Sequence, residues 1–161
     1  MNPHYEIERK FIIRMPEFPL PVDEKVSEIR QIYLRGDYGS GERVRARDGV
    51  YWHTIKKKVS GFTCEESEEI ISKAEFDELL LRRDPDRNEI QKTRHVFDYR
   101  DQVFEIDVYP FWKRQAVLEI ELESEDTPIE LPPFLSVVKE VTGDREYLNT
   151  YIATRVPEEL V

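Results

Sequence analysis

Between Glu6 and Glu123 the chain repeatedly alternates apolar with charged residues, and within each run the charges tend to carry one sign. Successive side chains of a β-strand point to opposite faces, so a period of two gives each run one charged and one apolar face. Glu6, Glu8 and Lys10 share a face; Ile7, Phe11 and Ile13 take the other, with Arg9 the one charge among them. Arg43, Arg45 and Arg47 alternate with Val44 and Ala46, and Thr54, Lys56 and Lys58 oppose Ile55 and Val59. In Glu65-Glu66-Ser67-Glu68-Glu69, parity with Ile70 selects Glu66 and Glu68. Lys92 and Arg94 oppose Thr93, His95 and Phe97. Glu105 and Asp107 oppose Phe104, Ile106 and Val108, and Glu119, Glu121 and Glu123 oppose Leu118, Ile120 and Leu122.

These runs are separated by turn signals. Residues 5–14 and 28–35 read as strands, and Asp48-Gly49 between two alternating runs is a strong hairpin signal, because a type I′ turn needs positive φ at both central positions. Ser60-Gly61 turns into a strand near 62–71. Ser72-Lys73-Ala74-Glu75 is a capping box, and Phe76, Leu79 and Leu80 behind it predict a helix over 73–82. Strands follow near 89–99, 102–110 and 116–124. Pro132-Pro133 predicts the start of a second helix, with Phe134, Val137, Val138 and Val141 on one stripe and Gly143 at its end. Residues 145–155 receive no assignment. No repeat, low-complexity tract or linker divides the chain, so residues 1–161 are expected to form a single domain.

On one strand alone, this pattern describes a sheet with its charged face in water. Three features of the set favour the opposite arrangement. Solvated strands mix small polar residues with charges of both signs, whereas each run here tends to one sign. Arginine, lysine and carboxylate rows alternate from run to run. Amphipathic helices need an apolar surface to pack on, which the outside of a barrel supplies. The expected fold is mainly β within the α+β class: an antiparallel barrel with a charged lumen, flanked by two or three helices.

The overall balance, 24 basic against 34 acidic residues and a net charge of −10, argues against a nucleic-acid or membrane-surface binder. No apolar stretch has the length a bilayer requires, and no signal peptide is apparent. The one cysteine, Cys64, forms no internal disulfide, and a reduced, cytoplasmic protein is expected. A small, highly anionic ligand remains compatible with this charge. Lys10, Arg43, Arg45, Lys56, Lys92 and Arg94 would bind phosphate oxygens. The carboxylates Glu6, Glu8, Glu66, Glu68, Asp107, Glu119 and Glu121 would repel a polyphosphate unless Mg²⁺ or Mn²⁺, which prefer hard oxygen ligands, lay between. His4, His53 and His95 lack metal-ligand spacing and read as surface or core residues; Trp52, Trp112 and Tyr109 read as packing residues.

The ordered set resembles the CYTH superfamily, the triphosphate tunnel metalloenzymes, over nearly the whole chain. Glu6-Ile7-Glu8-Arg9-Lys10 is similar to its E-x-E-x-K signature, and Arg43-Val44-Arg45 to its R-x-R strand, followed by Lys56. Glu66-Ser67-Glu68, Lys92-Thr93-Arg94, Asp107, Glu119-Ile120-Glu121 and the tail Arg145-Glu146-Tyr147-Leu148-Asn149 fall in the family's order. The resemblance implies a closed eight-stranded antiparallel tunnel that binds triphosphates with divalent metal. It also implies a metal-dependent triphosphatase, with inorganic triphosphate the expected substrate. Glu6, Glu8, Asp107, Glu119 and Glu121 are the expected metal ligands, and Glu66, Glu68 and Lys92 the catalytic candidates. A class IV adenylate cyclase-like lyase, a thiamine triphosphatase and a non-catalytic polyphosphate-binding module are the alternatives. The protein is expected to be a monomer or homodimer.

Overall fold

The computed structural model describes residues 3–161. Its strands are β1 (Pro3–Arg14), β2 (Lys25–Tyr33), β3 (Glu42–Arg47), β4 (Val50–Ser60), β5 (Thr63–Ile71), β6 (Ile90–Tyr99), β7 (Gln102–Val108), β8 (Gln115–Leu122) and β9 (Val137–Glu140). Helix α1 (Lys73–Leu79) lies between β5 and β6, and the short α2 (Asn149–Ile152) follows β9. The hydrogen-bonded order is β5-β4-β3-β2-β6-β7-β8-β1, and pairing of β5 with β1 closes the ring. The result is an eight-stranded antiparallel barrel with β9 added to β1. Closure removes the free edges that an open sheet must protect.

Strand β1 makes closure possible because it is long enough to serve two neighbours on one side. Pro3–Ile7 pair with β5, and Phe11–Ile13 pair with β9 where β5 has moved away. Residues Ile7–Arg14 pair with β8 on the other side. The β3–β4 hairpin turns at Asp48 (φ 50°) and Gly49 (φ 79°), as the sequence predicts. The β6–β7 hairpin adopts the same left-handed pair with Arg100 (φ 46°) and Asp101 (φ 63°), residues that carry no such signal.

Directly opposed residues of an antiparallel ladder point to the same face, so register carries side-chain parity round the ring. Lys10 opposes Glu119, which opposes Glu105 on its other flank. Arg94 opposes Asp107 and Ser27, and Arg45 opposes Gln31 and Trp52. The charged rows therefore face inward and the apolar rows outward. Phe11, Phe104, Ile106, Leu118 and Ile120 form a buried outer cluster beneath Met15, Val22, Ile129, Phe134 and Leu135. A second outer cluster, with Ile32, Leu34, Val44 and Ile71, lies under Phe76, Leu79 and Leu80. Helix α1 is held there by the predicted capping box: the Ser72 hydroxyl accepts from the Glu75 amide, and the Glu75 carboxylate accepts from the Ser72 amide.

Two expectations need correction. The segment predicted as a helix from Pro132 to Gly143 contains strand β9 instead. Its Val137 and Val138 are β-branched and stiff, and the stretch of β1 left unpaired by β5 offers them a ladder. The outside of the barrel is accordingly covered by extended segments as well as by α1, rather than by helices alone. The tail contributes a 3₁₀ turn at Arg145–Tyr147 and helix α2. Tyr147, Ile152 and Ala153 pack on Ile12, Tyr33, Ile90, Tyr109 and Val117, residues on the lumen face of the strands, and so plug one end of the barrel. Among the described residues, no helix is long and apolar enough to cross a membrane.

Candidate active site

The unplugged part of the lumen is a cavity of about 240 Å³. Lys10, Arg43, Arg45, Lys56, Lys92 and Arg94 all line it, as do Glu6, Glu8, Glu66, Glu119 and Glu121. The register of β5 on β4 pairs Glu66 with Lys56 and Glu68 with Thr54, which puts both acids on the lumen face and leaves Glu69 beside His53 on the other. Lys58 also lines the cavity, whereas Arg35 lies outside, exposed, 3.9 Å from Asp84. Arg9 faces outward as well, with Nε and Nη2 donating to the Glu140 carboxylate at 2.8 and 2.7 Å.

The basic residues differ in how far the protein satisfies them. Arg43 lies 3.8 Å from Glu66, and Arg45 lies 3.8 Å from Glu68, both beyond hydrogen-bond length. The Nε atoms of Arg43 and Arg45 are buried with no hydrogen-bond partner. Burial, together with the neighbouring charges of Arg43 and Arg94, pushes Arg45 down to about 10. Lys56 Nζ donates to Glu6 at 2.8 Å and lies 4.0 Å from Glu8. Burial opposes its charge, but Glu8 and Glu6 hold its pKa above the ordinary lysine value. Gly41 lets the chain approach here, since a Cβ at that position would collide with the carbonyl oxygen of Lys56. Lys10 Nζ donates to the Tyr147 carbonyl at 3.0 Å and lies 3.4 Å from Glu119, tying the plug to the lumen floor.

Asp107, expected among the metal ligands, is fully buried and otherwise engaged. Arg94 donates to both of its oxygens, at 2.7 and 2.8 Å, and Lys92 Nζ lies 2.8 Å from the second. Despite burial, these two cations hold the Asp107 carboxyl well below the usual carboxylate range. Three donor contacts from two cations engage both of its oxygens, and Asp107 serves as the counter-ion that orients Lys92 and Arg94 from beneath. Burial pushes Lys92 down to about 8, against the pull of Asp107. Parity alone could not separate Asp107 from the other acids, because depth in the barrel is a tertiary property.

A hard cation fits the remaining acids. Glu8 opposes Glu121 directly across β1–β8, with Glu6 one pleat away on the same face. Burial, then the charges of Glu6, Glu8 and Glu66, raise Glu121 above the usual carboxylate range, the mark of anions short of counter-charge. The donors are carboxylate oxygens, as Mg²⁺ and Mn²⁺ require. Glu105 joins the site 2.7 Å from Arg94 Nη1, and Gln31, Tyr33 and Asn149 line the cavity too. Glu105 was legible in its acidic row, Gln31 and Tyr33 carried no charge signal, and Asn149 arrives from the plug. His4 opposes Glu66 across the β1–β5 seam, 3.9 Å away, closer to the acids than its spacing in sequence suggests.

Comparison with known proteins agrees with this architecture. An inorganic triphosphatase from Nitrosomonas europaea is 32% identical over 156 residues, covering 94% of this chain and 99% of that protein. The crystal structure of the inorganic triphosphatase NE1496 superposes with a TM-score of 0.62 at 30% identity, covering 95% of this chain and 100% of that one. The PH1012 protein from Pyrococcus horikoshii shares the fold, with a TM-score of 0.55 at 20% identity over 75% of this chain and 80% of that one. The CYTH domain model matches residues 4–137, and with the charged, closed barrel this establishes that the chain belongs to the CYTH domain family.

Proposed function

We propose that this chain is a cytoplasmic, divalent-metal-dependent triphosphatase that hydrolyses inorganic triphosphate and releases phosphate, working as one tunnel domain over residues 1–161. The observation that carries this reading is the pair of guanidinium groups, Arg43 and Arg45, buried beside Lys56 with their Nε atoms unsatisfied and their ion pairs stretched to 3.8 Å. The planar guanidinium forks call for a multiply charged oxyanion with several acceptor oxygens, and a chain of phosphates supplies one. The relative of similar length that acts on inorganic triphosphate supports the choice of substrate.

In this reading Arg43, Arg45, Lys56 and Arg94 grip the phosphate oxygens and hold the chain in line. Lys10 anchors its inner end above the Tyr147 plug. Lys92, held by Asp107, presents its ammonium to the phosphates from the lumen wall. Glu66 and Glu68, on β5 beside β1, orient the attacking water. Glu6, Glu8, Glu119 and Glu121 would hold Mg²⁺ or Mn²⁺, which supplies charge neutralisation and Lewis-acid polarisation of the phosphate oxygens. Substrate and product share the unplugged mouth.

With Mg²⁺ or Mn²⁺ the protein should release phosphate from inorganic triphosphate, and EDTA should abolish release. Glu8→Gln should raise the metal concentration needed for half-maximal rate. Arg45→Ala should raise KM roughly 10–100-fold, the equivalent of about 1.5–3 kcal/mol of charge-assisted hydrogen bonding. Arg9→Ala, on the outer face, should leave both parameters unchanged. Production of cyclic AMP from ATP with negligible phosphate release, or damage from Arg9→Ala equal to that from Glu8→Gln, would overturn the assignment.

A further inference from the structure

His4 carries a ligand chemistry that the triphosphatase reading leaves unused. It stands at the mouth, on the same face of β1 as Glu6, and the β1–β5 register sets it directly opposite Glu66. We propose that His4, Glu6 and Glu66 hold a second divalent cation at this seam, and that the imidazole makes the site select nitrogen-accepting metals such as Co²⁺ and Zn²⁺ over Mg²⁺. The proposal rests on the triphosphatase reading for the first cation, with Glu6 shared between the two ions and Glu8, Glu119 and Glu121 left to the first.

The geometry is close to that of a ligated ion. One ligand atom from each residue lies within 4.8 Å of the other two. Bonds of about 2.0–2.2 Å to a common ion place ligand atoms roughly 3–4.4 Å apart, so small side-chain rotations suffice. The carboxylate oxygens are already divided. Lys56 takes Oε1 of Glu6, and Arg43 approaches Oε2 of Glu66, while Oε1 of Glu66 is the oxygen nearest His4. Lys56 thus holds Glu6, and Glu66 Oε1 is left turned towards the imidazole.

The charge and the donor set point the same way. Glu6, Glu8, Glu66 and Glu121 surround this end of the cavity, and Lys56 ion-pairs with Glu6 and Glu8 at once. A lone imidazole–carboxylate contact of 3.9 Å, on a histidine side chain 53% exposed, contributes little by itself. Given a cation, the neutral imidazole becomes a ligand, and one nitrogen among oxygens moves affinity along the series from Mn²⁺ towards Co²⁺ and Zn²⁺. The exposure of His4 leaves the remaining coordination positions to water, so this ion exchanges with solvent.

The test needs no substrate. Metal-free protein is titrated with Co²⁺, following visible absorption and calorimetric stoichiometry, in parallel with Mg²⁺. The wild type should bind two Co²⁺ per chain, with paramagnetic shifts on the His4 imidazole protons. His4→Gln should weaken one Co²⁺ site at least tenfold and leave the other, and the Mg²⁺ titration, unchanged. Glu66→Gln should weaken the same site while circular dichroism stays that of the wild type. One Co²⁺ per wild-type chain, or identical Co²⁺ titrations for wild type and His4→Gln, overturns the proposal. Loss of phosphate release with both Co²⁺ sites intact would instead overturn the triphosphatase reading.

Discussion

Glu105 and Asp107 belong to one row of one strand, yet their surroundings treat them oppositely. Asp107 meets two cations and is held strongly ionised. Glu105 touches Arg94 at 2.7 Å, but burial outweighs that contact, Glu119 and Asp107 add like charge, and its pKa is pushed up to about 7. An unfolded glutamate titrates near ~4.3. Between that value and 7 the folded chain keeps a proton that the unfolded chain has released, so stability falls as pH rises across the window and levels off above it. Glu105→Gln should remove this slope. In EDTA, the melting temperature of the variant should vary less than that of the wild type between pH 4.5 and 7, a difference on the order of 2–3 kcal/mol across the window. Parallel curves for the two proteins would show that Glu105 is ionised throughout.

Helix α1 and strand β9 show what local pattern can and cannot decide. The capping box and the apolar stripe agree on α1, which forms over Lys73–Leu79, and a 3₁₀ turn at Leu80–Arg82 completes the predicted span. Its anchor is Phe76, 2% exposed against Tyr51 and the outer face of the barrel. In urea unfolding, Phe76→Ala should cost about 3–5 kcal/mol, and Ser72→Ala, which removes the cap, about 1 kcal/mol. Equal costs would mean that the cap rather than the packing holds the helix. For β9 the stripe Phe134, Val137, Val138, Val141 has helical spacing, but short apolar runs rich in valine suit either structure. The Val141 amide donates to the Lys10 carbonyl and the Arg14 amide to the Ser136 carbonyl, bonds that exist only because β1 is already in place.

For the whole molecule, a net charge of −10 and a lumen crowded with both signs make stability depend on what the lumen holds. A cation that binds the folded chain alone stabilises it by about 2.7 kcal/mol at one hundred times its Kd. Saturating Mg²⁺ or Mn²⁺ should therefore raise the melting temperature by roughly 5–10 °C in one cooperative transition, and EDTA should reverse the rise. An unchanged melting temperature would mean that the acids are balanced by the protein's own cations. The sequence by itself determined the eight barrel strands, the inward parity of Glu6, Glu8, Arg43, Arg45, Glu66, Glu68 and Glu121, and the inverted character of the barrel, because a period of two is a local property of the backbone. Tertiary structure alone decided that β5 closes onto β1, that Tyr147 and α2 plug one end, that Asp107 lies beneath Lys92 and Arg94, and that His4 stands across from Glu66. Each of these depends on which segments distant in sequence become neighbours and how deep a side chain sits, and neither quantity is encoded in the spacing of residues along the chain.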